Sequence, residues 1–190
     1  LMALPLRDTL ITGDRVVLVP PRRSDYDEWA SLRTASRDYL ERWEPLWPGD
    51  AHSKADWARR LKVWTAAWKE GRAYVFLIRR MSDNALIGGI SLTHVRPWPA
   101  SSASLGYWLG QEYEGHGYMR DTVSLICEWA FARLALWRIE AGTLAENNRS
   151  RNVLEAAGFE EEGYARAYLE IAGERRDHVL FGLVRPQNQS

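Results

Sequence analysis

Gly115-His116-Gly117 lies behind the apolar run Leu105-Gly106-Tyr107-Trp108-Leu109-Gly110 and ahead of Tyr118-Met119, and it is the stretch of this chain best suited to chemistry. Glycine permits positive φ and lets a ligand approach the main chain with no Cβ in the way. Where such a loop opens a helix, the first-turn N–H groups lack partners and the helix dipole adds positive potential, so the backbone itself binds anions. A phosphate-bearing ligand is the expectation. His116 belongs to this loop, whereas His52, His94 and His178 are scattered without metal-ligand spacing, and no metal is expected.

Two common phosphate signatures fail on residues. A dinucleotide motif needs Gly-x-Gly-x-x-Gly after an N-terminal strand, with an acid about 20 residues further on. Here the third glycine position is Arg120, and the loop lies past mid-chain. A P-loop needs Gly-Lys-Ser/Thr, where this chain has Gly117-Tyr118-Met119.

The elements that must carry the loop are legible from patterning. Residues 15–19 are β-branched and stop at Pro20-Pro21, which predicts a strand. Ser24 with Asp27 has the spacing of a capping box and predicts a helix through about residue 37; Ser53 with Asp56 repeats the device. Behind Ser53, Trp57, Leu61, Trp64 and Trp68 recur at helical spacing until Gly71. Strands are expected at 74–79, 86–95 and 103–109, with a turn at Ser82-Asp83-Asn84. After the loop a helix should run to about residue 134, with Tyr118, Thr122, Leu125, Ile126, Trp129 and Ala130 on one face. A strand at 138–144, a short helix from Asn147-Asn148 to Gly158, and a hairpin of 159–170 with 175–184 complete the pattern. Helices interleaved with a largely antiparallel sheet make a mixed α/β or α+β domain.

Composition bounds the function. At 190 residues, 46% hydrophobic and 26% charged, the chain suits one domain over 8–185, with 1–7 and 186–190 as flexible termini. Leu1 ahead of Met2 reads as a cloning remnant. The start lacks the build of a signal peptide, and no apolar run is long enough to span a bilayer. With 25 basic against 25 acidic residues, direct nucleic-acid or membrane binding is not expected. The lone Cys127 fits a reducing cytoplasm and excludes an internal disulfide. The ten tryptophans, several between Trp29 and Trp68, suggest an aromatic-walled cleft or simply a core built of large side chains.

The chain resembles the GNAT superfamily of N-acetyltransferases, and within it the branch of ribosomal-protein-alanine N-acetyltransferases. The resemblance is carried by Gly106-Tyr107-Trp108-Leu109, Gly115-His116-Gly117-Tyr118-Met119, Arg138-Ile139-Glu140-Ala141 and the block from Asn147-Asn148-Arg149-Ser150 to Ala157-Gly158-Phe159. The front end, Tyr39-Leu40-Glu41-Arg42-Trp43-Glu44-Pro45-Leu46-Trp47-Pro48, is similar to this branch too. It implies a single GNAT-like domain, a mostly antiparallel twisted sheet flanked by helices. The family's usual Gln/Arg-x-x-Gly-x-Gly/Ala is altered here by Glu112 at its first position, and Arg120-Asp121 replace a small residue and Glu.

The resemblance further implies acetyl-CoA as donor, with CoA as product. Its pyrophosphate would lie on Tyr113, Glu114, Gly115, His116, Gly117, Tyr118 and Met119. The backbone of Tyr107, Trp108 and Leu109, on a strand that splays from its neighbour, would meet the thioester. Asn147 and Ser150 match the family's Asn-x-x-Ser, which implies that Asn147 holds the pantetheine or a water and that Ser150 hydrogen-bonds and protonates the leaving sulfur; both also suit helix capping. Asn152 would add a cofactor contact, and Arg120 either reaches a CoA phosphate or lies exposed. For the general base, Glu170 is named first, with Glu140 and Glu44 as alternatives.

Acetyl transfer needs an unprotonated amine. Presenting it at pH 7 costs roughly 1–1.4 kcal/mol for an α-amine and about 4.6 kcal/mol for lysine. With no obvious strong base, an N-terminal amine of a protein is the favoured acceptor, a ribosomal protein being one candidate. A small-molecule N-acetyltransferase and a non-catalytic acyl-CoA-binding module are the competing readings, with an RNA-binding accessory protein disfavoured by the charge. A monomer or homodimer is expected.

Overall fold

The computed structural model describes residues 9–187, so of the termini expected at 1–7 and 186–190 all but residues 186 and 187 lie outside the described residues. Two short strands, β1 (Ile11–Thr12) and β2 (Val16–Val19), lead into helices α1 (Tyr26–Ala35), α2 (Arg37–Leu40) and α3 (Lys54–Lys69). Three long strands follow, β3 (Tyr74–Arg80), β4 (Leu86–Arg96) and β5 (Ser102–Leu109), and then the glycine loop and α4 (Tyr118–Arg133). The chain closes with β6 (Arg138–Thr143), α5 (Asn148–Ala156), β7 (Glu160–Ile171) and β8 (Glu174–Val184). Among the described residues the strands form one sheet in the order β1-β2-β3-β4-β5-β6-β8-β7.

Period-two alternation decides what each face buries. Phe76 and Ile78 of β3 are fully buried in the cluster that includes Val123, Ile126 and Ala130 of α4, while Leu77 between them joins Trp29, Leu32, Trp57 and Leu86 on the face of α1 and α3. Each such fully buried apolar side chain stabilises by about 1.5–3 kcal/mol before entropy is counted. The face expected for α4 is realised in full at Thr122, Ile126 and Ala130, and half-buried at Tyr118, Leu125 and Trp129. Gly89 of β4 matters for close approach: a Cβ there would meet Nε1 of Trp108 at 2.4 Å, so glycine lets that indole lie flat across the strand.

Two local readings are corrected. The Ser24–Asp27 box is not formed; Asp25 turns the chain instead, accepting the Arg22 N–H at 2.7 Å and the guanidinium of buried Arg79 at 2.8 Å. The helix expected to run to residue 37 breaks at Ser36 (φ −101°, ψ 14°), whose hydroxyl accepts the Gln111 N–H at 3.0 Å. Ser53 does cap α3, accepting the Asp56 N–H at 3.0 Å. The final hairpin turns on Ala172 and Gly173, both with positive φ.

The pairing of β5 with β6 creates the opening in the sheet. It is parallel and covers only Ser102 to Ser104 against Arg138 to Glu140. Beyond it, β5 stays on β4 through Leu109, while β6 stays on β8 through Thr143. The strands diverge, and a cleft opens between Tyr107 and Gly142.

Candidate active site

A cavity of about 700 Å³ occupies this divergence, running from the glycine loop past Tyr107 and Ser150 to Ile171 and His178. At one end, Gly115 (φ +75°) and Gly117 (φ +79°) hold left-handed conformations that other residues rarely adopt, and a Cβ on Gly115 would point into open space. The first hydrogen bond of α4 runs from the Asp121 N–H to the Gly117 carbonyl at 3.2 Å. The N–H groups of Tyr118, Met119 and Arg120 precede it, and these three residues line the cavity. A backbone cradle of this kind fits a pyrophosphate.

Arg15, which the sequence reading did not single out, pins the cradle. Its guanidinium donates to the His116 carbonyl at 2.9 Å and to Asp121 at 2.7 Å, and lies 5.1 Å from the centre of the Tyr118 ring. His116 itself stacks on Tyr118 and does not line the cavity. Arg120 lines it while remaining largely exposed. Glu114 accepts hydrogen bonds from the Tyr39 hydroxyl and the Arg149 guanidinium, tying α2, the loop and α5 together. Burial, and then Glu114, push the Tyr39 phenol up to about 12.

Midway along the cavity, α5 begins at Asn147, whose Oδ1 accepts the Ser150 N–H at 3.1 Å. That cap aims Ser150 at β5. Its Oγ lies 2.8 Å from the Tyr107 hydroxyl, which also reaches the Ser150 carbonyl at 3.3 Å. Burial pushes the Tyr107 phenol up to about 12, so it stays protonated at neutral pH. The spacing of Asn147 and Ser150 was legible in the sequence; the side chain of Tyr107 was not, because only its backbone was expected to act. Asn152 and the backbone run of Tyr107, Trp108 and Leu109 also line the cavity, as do Tyr113 and Met119.

The carboxylates sort clearly. Glu44 lines the cavity but holds Arg33 through two bonds of 2.8 and 2.5 Å and accepts the Trp47 indole N–H at 2.9 Å. Arg33 is itself packed between the rings of Trp47 and Trp108, 4.7 and 4.8 Å from their centres. Glu140 is engaged by Arg96 and Arg138 at 2.8 and 3.0 Å. Glu170 is exposed and does not line the cavity, although Leu169 and Ile171 on either side of it do. Cys127 is buried, and burial pushes its thiol up to about 12, which removes its nucleophilic form. Among the described residues, no group of three or more His, Cys, Asp or Glu could hold a metal ion.

A second space of about 730 Å³ lies against the sheet and shares Glu44, Gly106, Tyr107 and Trp108 as wall, with Trp29, Trp64 and Arg60 beyond them. The aromatic residues thus serve two ends. Trp57 and Trp68 are core, whereas Trp43, Trp64 and Trp108 border these spaces.

Residues 15–160 match the family described as acetyltransferase (GNAT) domain. The chain is 31% identical over 180 residues to the probable N-acetyltransferase YjcK of Bacillus subtilis (strain 168), covering 95% of this chain and 99% of that one. It is 31% identical over 176 residues to the [ribosomal protein uS5]-alanine N-acetyltransferase of Escherichia coli (strain K12), covering 93% and 91%. The structure of Mycobacterium smegmatis RimJ in complex with CoA-disulfide superposes with a TM-score of 0.89 at 30% identity, covering 97% of this chain and 90% of that one. Fold, sequence and these relatives agree that the chain belongs to the GNAT family and is an N-acetyltransferase.

Proposed function

We propose that the protein acetylates the α-amine of a protein N-terminus from acetyl-CoA, by direct attack in a ternary complex, with ribosomal proteins as the acceptor class. The observation that carries this reading is that both carboxylates lining the cavity are already engaged, Glu44 by Arg33 and Glu114 by Arg149 and Tyr39. No free carboxylate remains there to strip a lysine, whereas an α-amine loses its proton at far lower cost. The Escherichia coli relative, named for acetylating an alanine of ribosomal protein uS5, supports the same acceptor.

Acetyl-CoA, when bound, supplies an activated thioester. The N–H groups at the start of α4 and the glycines before it hold its pyrophosphate. The main chain of Tyr107, Trp108 and Leu109, beyond the end of the β5–β6 pairing, orients the carbonyl. Asn147 fixes Ser150, the Ser150 hydroxyl gives its proton to the departing sulfur, and the Tyr107 phenol 2.8 Å behind it supports that donation. The space shared along Trp108 and Gly106 admits the acceptor chain from the opposite face.

The test is a panel of peptides carrying ribosomal-protein N-termini, incubated with acetyl-CoA and mapped by mass spectrometry. Acetylation at the α-amine is expected. Reaction only at lysine or small amines removes the N-terminal assignment, and CoA-induced stabilisation without any acetylated product turns the reading to a binding module.

A further inference from the structure

His178 is buried at 3% exposure, lines the cavity and takes no part in the steps above. On β8, Val179 and Phe181 point into the core beneath α4, so His178 and Leu180 project from the opposite face. Gly142 of β6 lies under the ring: a Cβ there would come within 3.8 Å of the imidazole Cδ2. The cradle, Ser150 and α5 approach the divergence from the α4 side, and His178 approaches it from the other. Nδ1 of His178 is 3.1 Å from the Arg176 carbonyl, which can only accept, so Nδ1 carries the proton in the neutral ring. Nε2 is left as a lone-pair acceptor and makes no hydrogen bond among the described residues.

Resting on the acetyl-transfer reading of this cavity, we infer that His178 is its general base. As the neutral amine nitrogen bonds to the thioester carbonyl carbon, an N–H proton passes to Nε2. The carbon–sulfur bond breaks, its electron pair leaves on sulfur, and sulfur takes the Ser150 proton. Solvent removes the proton from His178 and returns one to the Ser150–Tyr107 pair, so acetyl-CoA and amine become amide and CoA with nothing oxidised or reduced. Tyr168 packs against the imidazole at 5.5 Å between ring centres. The charged groups around it are the Arg176–Glu146 pair and, next in sequence, Asp177; across the cavity Glu44 is held by Arg33.

H178N keeps a donor for the Arg176 carbonyl and lacks Nε2. It should lower kcat by about 10²-fold or more, with CoA affinity by calorimetry unchanged. Nitrogen NMR of 15N-histidine-labelled protein, with the signal assigned by its loss in H178N, should show the neutral ring protonated on Nδ1. An Nε2-protonated ring, or an unchanged kcat in H178N, overturns the inference. A wild type that binds CoA but acetylates no amine would instead overturn the transfer reading, and the NMR tautomer still decides the geometry assigned to His178.

Discussion

Tyr107 on β5 and Ser150 on α5, 43 residues apart in the chain, bring their hydroxyl oxygens to 2.8 Å across the opening in the sheet. In the mechanism proposed above, the contact joins the strand whose main chain orients the thioester to the helix that carries the acid. S150A should therefore lower kcat by about 10²-fold while leaving CoA affinity nearly intact, and Y107F should lower it less, because Ser150 remains. Steady-state kinetics with parallel calorimetry separates the two effects. Equal loss of affinity and turnover would reduce Ser150 to a helix cap.

G115W tests the cradle with little disturbance of the fold. The open space around that Cβ accepts a side chain, so stability should fall only by the left-handed backbone cost of about 1–2 kcal/mol. CoA binding should disappear in calorimetry. Retained affinity would move the pyrophosphate elsewhere.

Arg15 offers a contrast between binding and stability. Its pair with Asp121 is solvent-exposed, so R15A should change the melting temperature little. It should weaken CoA binding about tenfold and leave kcat at saturating donor unchanged, because it acts by fixing the His116 carbonyl and the start of α4.

His52 should make the protein acid-sensitive. Burial, then Arg33, lower its pKa to about 4, and its Nε2 accepts from Arg33 at 3.2 Å. A depressed folded pKa means the neutral ring is the stable form. This contribution is complete above about 6.5 and is lost as pH falls toward 4, amounting to roughly 2–3 kcal/mol. Thermal melts between pH 7 and 4 should show a loss that H52N lacks.

Cys127 should be dispensable. Its buried, protonated thiol forms no acyl-enzyme, so C127A should retain turnover, and intact-protein mass spectra should show no acetylated enzyme under single-turnover conditions.

The residues that act through main chain or local caps were the legible ones. The positive φ of Gly115 and Gly117 and the Asn147 cap on the Ser150 N–H are local features that a sequence displays, while catalytic roles for Asn147 and Ser150 were implied by the family resemblance. The strands and α4 were equally readable, since their apolar periods match the faces they bury. What stayed hidden depends on long-range approach. Arg15 reaches Asp121 over 106 residues, Tyr39 reaches Glu114 over 75, and His178 meets the cavity only because β8 is inserted beside β6. Glu170 was named because it precedes the final turn, in a region where related enzymes can supply a carboxylate; Leu169 and Ile171 line the cavity and Glu170 does not. Ser36 broke a helix that the pattern continued, because its hydroxyl is taken by the Gln111 N–H.

The glycine at position 89 has a bearing on how this protein could change over time. Any larger residue there would collide with the Trp108 indole and push it off the strand, and the same indole packs on Arg33 and edges the second cavity. A substitution at this position is thus felt beyond β4 itself, on the neighbouring strand β5. The aromatic loop at 43–50 is joined to the β7–β8 turn by the Ala172 N–H bond to the Glu44 carbonyl, and its Trp47 and Glu44 hold Arg33 against that same indole. A change at position 89 is therefore transmitted through Trp108 and Arg33 to this loop, and from there to the turn between β7 and β8.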